Sequence, residues 1–155
     1  SHASISARKA NEALLRLRCD TATREKVVKL VKIHDTPIEP DSKTVKKKLQ
    51  KYGEEIFFDL IKLQRADNMG LSPEFLYRQK TYDQLEEIAR QVIEENQCFS
   101  LKDLAVKGND LMSLGLKGKD IGTALEELLK AVIEEKCDND KESLIEYYHR
   151  NVKTV

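Results

Sequence analysis

The chain has 155 residues, enough for one mid-sized domain or two small helical lobes sharing a core. Hydrophobic residues make up 40% and charged residues 35%, with Lys+Arg equal to Asp+Glu at 27 each. That balance excludes a protein that coats nucleic acid by net charge alone, but it leaves room for a local basic face. Cys19, Cys98 and Cys137 are odd in number, far apart and form no CxxC. A disulfide framework or zinc ribbon is therefore not expected, and a reducing cytoplasm fits. No apolar run approaches the ~20 residues that span a bilayer, so no membrane partner is expected. No signal-peptide pattern is read either. The sequence enters a helical pattern at once, as an excised piece of a longer chain would.

Helical periodicity runs throughout and strand-like alternation is almost absent. The spacing predicts a first helix from about Ser4 to Leu17, with Ile5, Ala10, Ala13, Leu14 and Leu17 inward. Thr21 or Thr23 can cap a second helix over Glu25–His34, whose inward face is Val27, Val28, Leu30, Val31 and His34. Pro37 and Pro40 stiffen the following loop, and Ser42 can cap a short basic helix ending at Tyr52. Gly53 stops that helix. An apolar helix then carries Ile56, Phe57, Leu60, Ile61 and Leu63 up to Ala66-Asp67, before a turn at Asn68-Met69-Gly70.

Ser72-Pro73-Glu74 reads as the start of a long helix to about Asn96, with Leu85, Ile88, Ala89, Val92 and Ile93 on one side. Lys107–Met112 is a turn into a short helix, and the turn at Gly115–Gly118 opens a helix with Ile121, Leu125, Leu128, Leu129, Val132 and Ile133. Asn139 and Glu142 have capping-box spacing at the start of a last helix that buries Leu144, Ile145 and Tyr148. The fold class expected is all-α, a multi-helix bundle of two helical lobes divided near Gly70, at 1–70 and 71–155.

Three features could carry chemistry. His34 ends one apolar helix, Asp67 ends another, and His2 could join them from the first. An imidazole and a carboxylate converging across antiparallel helices can ligate a divalent metal, or can simply hydrogen-bond to each other. A helix beginning after Gly118 exposes unpaired N–H groups flanked by Lys117 and Lys119, with Lys107 at the earlier turn. Such a start can hold a phosphate, or the glycines can be ordinary helix stops. Lys43, Lys46, Lys47, Lys48 and Lys51 form a cationic stripe beside Tyr52, while acids cluster elsewhere as Glu86-Glu87, Glu94-Glu95, Glu126-Glu127 and Glu134-Glu135. The stripe is a solvated face or a phosphate-facing one. No Walker-type loop, no GxSxG and no GS dipeptide with a downstream DxD is present, so no nucleotidyl-transfer or hydrolase site is expected here.

Two stretches resemble a known family. The run from Ser1-His2-Ala3 through Leu14-Leu15-Arg16-Leu17, then Val27–Asp35 and Leu63–Asp67, is similar to the later part of an HD-type domain. Gly108-Asn109-Asp110-Leu111-Met112, followed by Gly115, Gly118, Ile121-Gly122, Leu125 and Asn139–Leu144, resembles the C-terminal segment of bacterial CCA-adding tRNA nucleotidyltransferases and their poly(A) polymerase relatives. The resemblance implies a later HD-like part over 1–70 and a helical tRNA-binding tail over 71–155. It implies that this stretch grips the acceptor arm and elbow of tRNA. Lys46, Lys47, Lys48 and Lys51 would touch one part of the backbone, and Lys107, Lys117 and Lys119 another. The transfer chemistry, with Mg2+ and CTP or ATP, would belong to an N-terminal catalytic head of the parent chain. No cofactor is expected in this piece. His2, His34 and Asp67 match later positions of the HD metal set. A metal-dependent HD phosphohydrolase piece and a helical protein-interaction module are the competing readings.

Overall fold

The computed structural model describes residues 2–71, 73–95 and 97–152, and contains no strand among them. The elements are α1 (His2–Arg16), α2 (Thr21–Ile33), α3 (Ser42–Tyr52), α4 (Glu54–Met69), a 3-10 helix (Pro73–Arg78), α5 (Gln79–Glu94), α6 (Gly108–Ser113), α7 (Lys119–Ile133), α8 (Lys141–Tyr147) and a closing π turn (Tyr148–Val152). No helix among the described residues is long and apolar enough to cross a membrane. The chain divides into two compact units, 1–89 and 90–155, so residues 71–89 go with the first rather than the second.

Helix α4 organises the first unit, touching α2, α3 and the 3-10 helix. Its Phe57, Leu60 and Ile61 are fully buried. Burying each such side chain contributes about 1.5–3 kcal/mol. Its last turns are polar and tie down what lies beside them. Gln64 Nε2 donates to the carbonyls of both His34 and Thr36 at 2.8 Å. Arg65 reaches Asp83 at 2.7 Å and Glu86 at 3.2 Å, with its guanidinium 5.9 Å from the Tyr82 ring. The bond to Asp83 pushes the Arg65 pKa up. Asn68, the buried polar residue of this helix, accepts from Gln79 Nε2 at 2.7 Å. These bonds explain why 71–89 stay with the first unit.

Several expectations are corrected. Helix α1 buries Ala3 and Ala7, while Ile5 and Leu17 are 53% and 73% exposed. Small side chains let two helices approach closely, so α1 meets α2 on its alanine side. The caps lie one residue earlier than read: Asp20 accepts from the Thr23 amide, and Asp41 from the Thr44 amide. Asp140 caps α8 through the Ser143 amide, while Asn139 instead bridges Ala105 N and Asp103 O. Asn68 and Met69 remain helical rather than forming a turn. The single long helix from Pro73 is a 3-10 segment followed by α5; its proposed cap at Ser72 and its end at Asn96 lie outside the described residues.

In the second unit, Leu104, Val106, Leu111, Leu128, Leu129, Ile133, Leu144 and Tyr148 form one apolar cluster with Ala124 and Cys98. Helix α7 supplies its centre. Gly118 takes φ +55°, a conformation that a side chain disfavours, and lets the chain turn sharply into α7.

Gln64→Glu keeps the length of the side chain but removes its N–H donor. It is expected to lower stability by about 1–2 kcal/mol. The Thr36 and Asp41 amides, which close turns onto Ile33 O and Glu39 O, should exchange faster, as measured by hydrogen exchange with mass spectrometry.

Candidate functional site

The lysine-rich helix α3 forms because a capping carboxylate precedes a run of good helix formers and a glycine ends it. Hydrogen bonds with Thr44 hold the Asp41 carboxyl below the usual carboxylate range. At the other end Gly53, at φ +81°, donates its amide to Leu49 O at 2.8 Å. Val45, Leu49 and Tyr52 are the buried face. At 3.6 residues per turn, Lys43, Lys47 and Lys51 fall opposite that face, with Lys46 and Lys48 on its two flanks. The burial pattern agrees: Lys43, Lys47 and Lys51 are exposed, Lys46 and Lys48 half-buried. The ammonium groups of Lys48 and Lys51 lie 5.8 and 5.5 Å from the Tyr52 ring.

The second lysine group belongs to the second unit. Lys117 and Lys119 flank Gly118 at the entry to α7, and both are exposed. No side chain caps α7, and the Asp120 amide of its first turn donates to Lys117 O at 3.2 Å. Asp120 is also exposed in that first turn. Lys107 precedes α6; its backbone amide donates to Asp110 at 2.8 Å, and its ammonium folds onto Lys102 O at 2.7 Å. Lys141 bonds Asp110 and holds that carboxyl below its ordinary range.

Several other cations are paired with carboxylates. Lys26 bonds Glu55 and Asp59, Lys62 is 3.5 Å from Asp59, and Lys136, Lys141 and Arg150 pair with Glu134, Asp110 and Glu146. Among the described residues, no carboxylate lies within ion-pair distance of Lys46, Lys48, Lys51, Lys107, Lys117 or Lys119. The formal balance of the sequence thus hides basic surfaces that keep their charge.

Two of the three histidines belong to a different group. His2, His34 and Asp35 each bring a ligand-type atom within 4.8 Å of the others. Asp67 does not belong to that group; it lines, with His34 and Asp35, an adjoining cleft of about 510 Å3 that also includes Gln64, Tyr77 and Tyr82. The sequence pointed to His34-Asp35 but took Asp67, not Asp35, as the carboxylate of the set. The signal was available in the turn that ends α2, which brings adjacent side chains to the same end of the helix.

A family model described as "tRNA nucleotidyltransferase domain 2 putative" matches residues 1–148. No curated protein matches the chain. No solved structure matches it.

The cap on the lysine helix has a pH signature. The Asp41 pKa is depressed in the fold, so its stabilisation is complete above the unfolded value of about 3.9 and is lost as pH falls through the lower folded value. Asp41→Ala is expected to lower stability by about 1 kcal/mol at pH 7. In an acid titration followed by circular dichroism, the gap between the two proteins should narrow below about pH 4.

Proposed function

The chain belongs to the tRNA nucleotidyltransferase domain 2 family, and from that premise we propose that it is a helical tRNA-holding module. It presents the acceptor arm and elbow so that the 3′ end reaches a catalytic head. The observation that carries this reading is that Lys46, Lys48 and Lys51 on α3, and Lys107, Lys117 and Lys119 at the turns before α6 and α7, have no carboxylate within ion-pair distance among the described residues. Lys46, Lys47, Lys48 and Lys51 contact one stretch of backbone; Lys107, Lys117 and Lys119 contact another. Lysine is a point charge with rotatable donors and suits phosphate oxygens better than base edges. Recognition is accordingly by the shape of A-form RNA, without reading of sequence.

Nucleotidyl transfer, with its Mg2+ and CTP or ATP, belongs in this reading to the catalytic head, since these 155 residues hold no GS–DxD carboxylate set. The protein works in the cytoplasm, where its three free thiols stay reduced. The phosphohydrolase reading has less support, because Asp67 stands outside the histidine group. An interaction module would call for a lysine stripe buried in a protein contact or scattered, whereas Lys43, Lys47 and Lys51 share one face of α3.

Fluorescence-anisotropy titration with a tRNA acceptor-and-elbow minihelix tests the proposal. Binding is expected to saturate and to exceed that of a plain RNA duplex of equal length. Its log–log salt slope should be roughly −4 to −6 if most of the seven lysines each neutralise a phosphate. Lys117→Glu with Lys119→Glu, and separately Lys47→Glu with Lys51→Glu, should each weaken binding about 10-fold or more and flatten the slope by about two. Unchanged affinity in both double variants would remove the lysine contacts from the account.

A further inference from the structure

We propose that His2, His34 and Asp35 form a binding site for a divalent transition-metal ion, which clamps the first turn of α1 onto the C-terminal end of α2. This inference stands apart from the tRNA reading and uses none of its lysines.

The geometry favours a cation. His2 Nε2 lies 3.5 Å from Asp35 Oδ2. Two ligands on a tetrahedral ion with bonds of about 2.0–2.2 Å stand roughly 3.3–3.6 Å apart, so this pair already spans one edge of a coordination shell. The third ligand is set by its own hydrogen bond. His34 Nδ1 lies 2.7 Å from the Val31 carbonyl oxygen. A carbonyl can only accept, so Nδ1 carries the proton and Nε2 keeps its lone pair. A backbone carbonyl holding one ring nitrogen is the arrangement that orients a metal-binding imidazole and fixes its tautomer. The His34 backbone is held in turn, because its carbonyl accepts from Gln64 Nε2. The His2 and His34 rings meet edge to face, with centroids 5.9 Å apart.

The donor set selects the ion. Two imidazoles and one carboxylate suit Zn2+, Co2+ or Ni2+, whereas Mg2+ and Ca2+ prefer shells of oxygen. His2 and Asp35 have side chains 74% and 45% exposed, which gives the ion a path in and leaves water to complete the shell. Glu39 and Asp67 line the adjoining cleft and add negative potential. The clamp also has something to hold. No residue of α2 is fully buried, and α1 buries only Ala3 and Ala7 among its described residues. The set differs from the one that the HD resemblance pointed to, with Asp35 in place of Asp67.

The test is a Co2+ titration of the full chain, followed by visible absorption, with competition by Zn2+ and thermal melting in Zn2+ and in EDTA. One equivalent is expected to bind, with Co2+ displaced by Zn2+ but not by millimolar Mg2+. At saturating Zn2+ the melting temperature should rise by roughly 5 °C or more. His2→Gln and Asp35→Asn should each weaken binding at least 10-fold, and Asp67→Asn should leave it unchanged. Both residues of the weakening pair are exposed, and helical circular dichroism in EDTA checks that the variants stay folded. Absence of binding, binding indifferent to His2→Gln and Asp35→Asn, or equal weakening by Asp67→Asn would each overturn the proposal.

Discussion

The first unit depends on one helix doing two jobs. The middle of α4 buries Phe57, Leu60 and Ile61. Its end supplies Gln64, Arg65 and Asn68, whose bonds reach the loop after α2 and Gln79, Asp83 and Glu86 of α5. Apolar burial is not directional, so it draws the neighbouring helices in without fixing their ends. The polar end does fix them. Arg65, about one quarter exposed, is shared between two carboxylates, an arrangement whose removal would leave two acids facing each other. Through Gln64 this helix also sets the backbone at His34, and through contacts with α3 it holds the platform for the lysines.

The second unit reaches the same end by a different route. An apolar cluster around α7 supplies rigidity, while the charged groups stand on the turns before its helices. Binding groups on turns held by a packed scaffold are a common division of labour. Gly118 is central to it. With a side chain there, φ +55° would be strained, and the entry that leaves Lys117 and Lys119 on either side of the α7 N-terminus would change. In the proposed reading these two lysines hold RNA phosphate, and they have no carboxylate within ion-pair distance among the described residues.

The all-helical class was legible because the 3.6-residue period persists along nearly the whole chain. Gly53 and Gly118 were legible as boundaries because only their missing side chains suit those angles. The caps were harder. Asp20-Thr21, Asp41-Ser42 and Asn139-Asp140 each place two capping residues side by side, and only the position of the side-chain oxygen decides between them. On α1 the expected Ala10, Ala13 and Leu14 are partly buried, whereas Ile5 and Leu17 are exposed. Close helix contact needs Ala3 and Ala7, and leaves Ile5 outside. The 3-10 segment was hidden because Pro73 is equally suited to the first turn of an α-helix. The contact of Asp35 with His2 was hidden because His2 is remote in sequence and is brought to it only by the pairing of α1 with α2.

The central claim is that named lysines, rather than the chain's overall charge, hold tRNA. Lysine acetylation footprinting of the chain with and without tRNA, read by mass spectrometry, addresses it directly. Protection is expected at Lys46, Lys47, Lys48, Lys51, Lys107, Lys117 and Lys119, with no change at Lys62 or Lys130. Uniform protection of all lysines, or protection centred on Lys62 and Lys130, would contradict it.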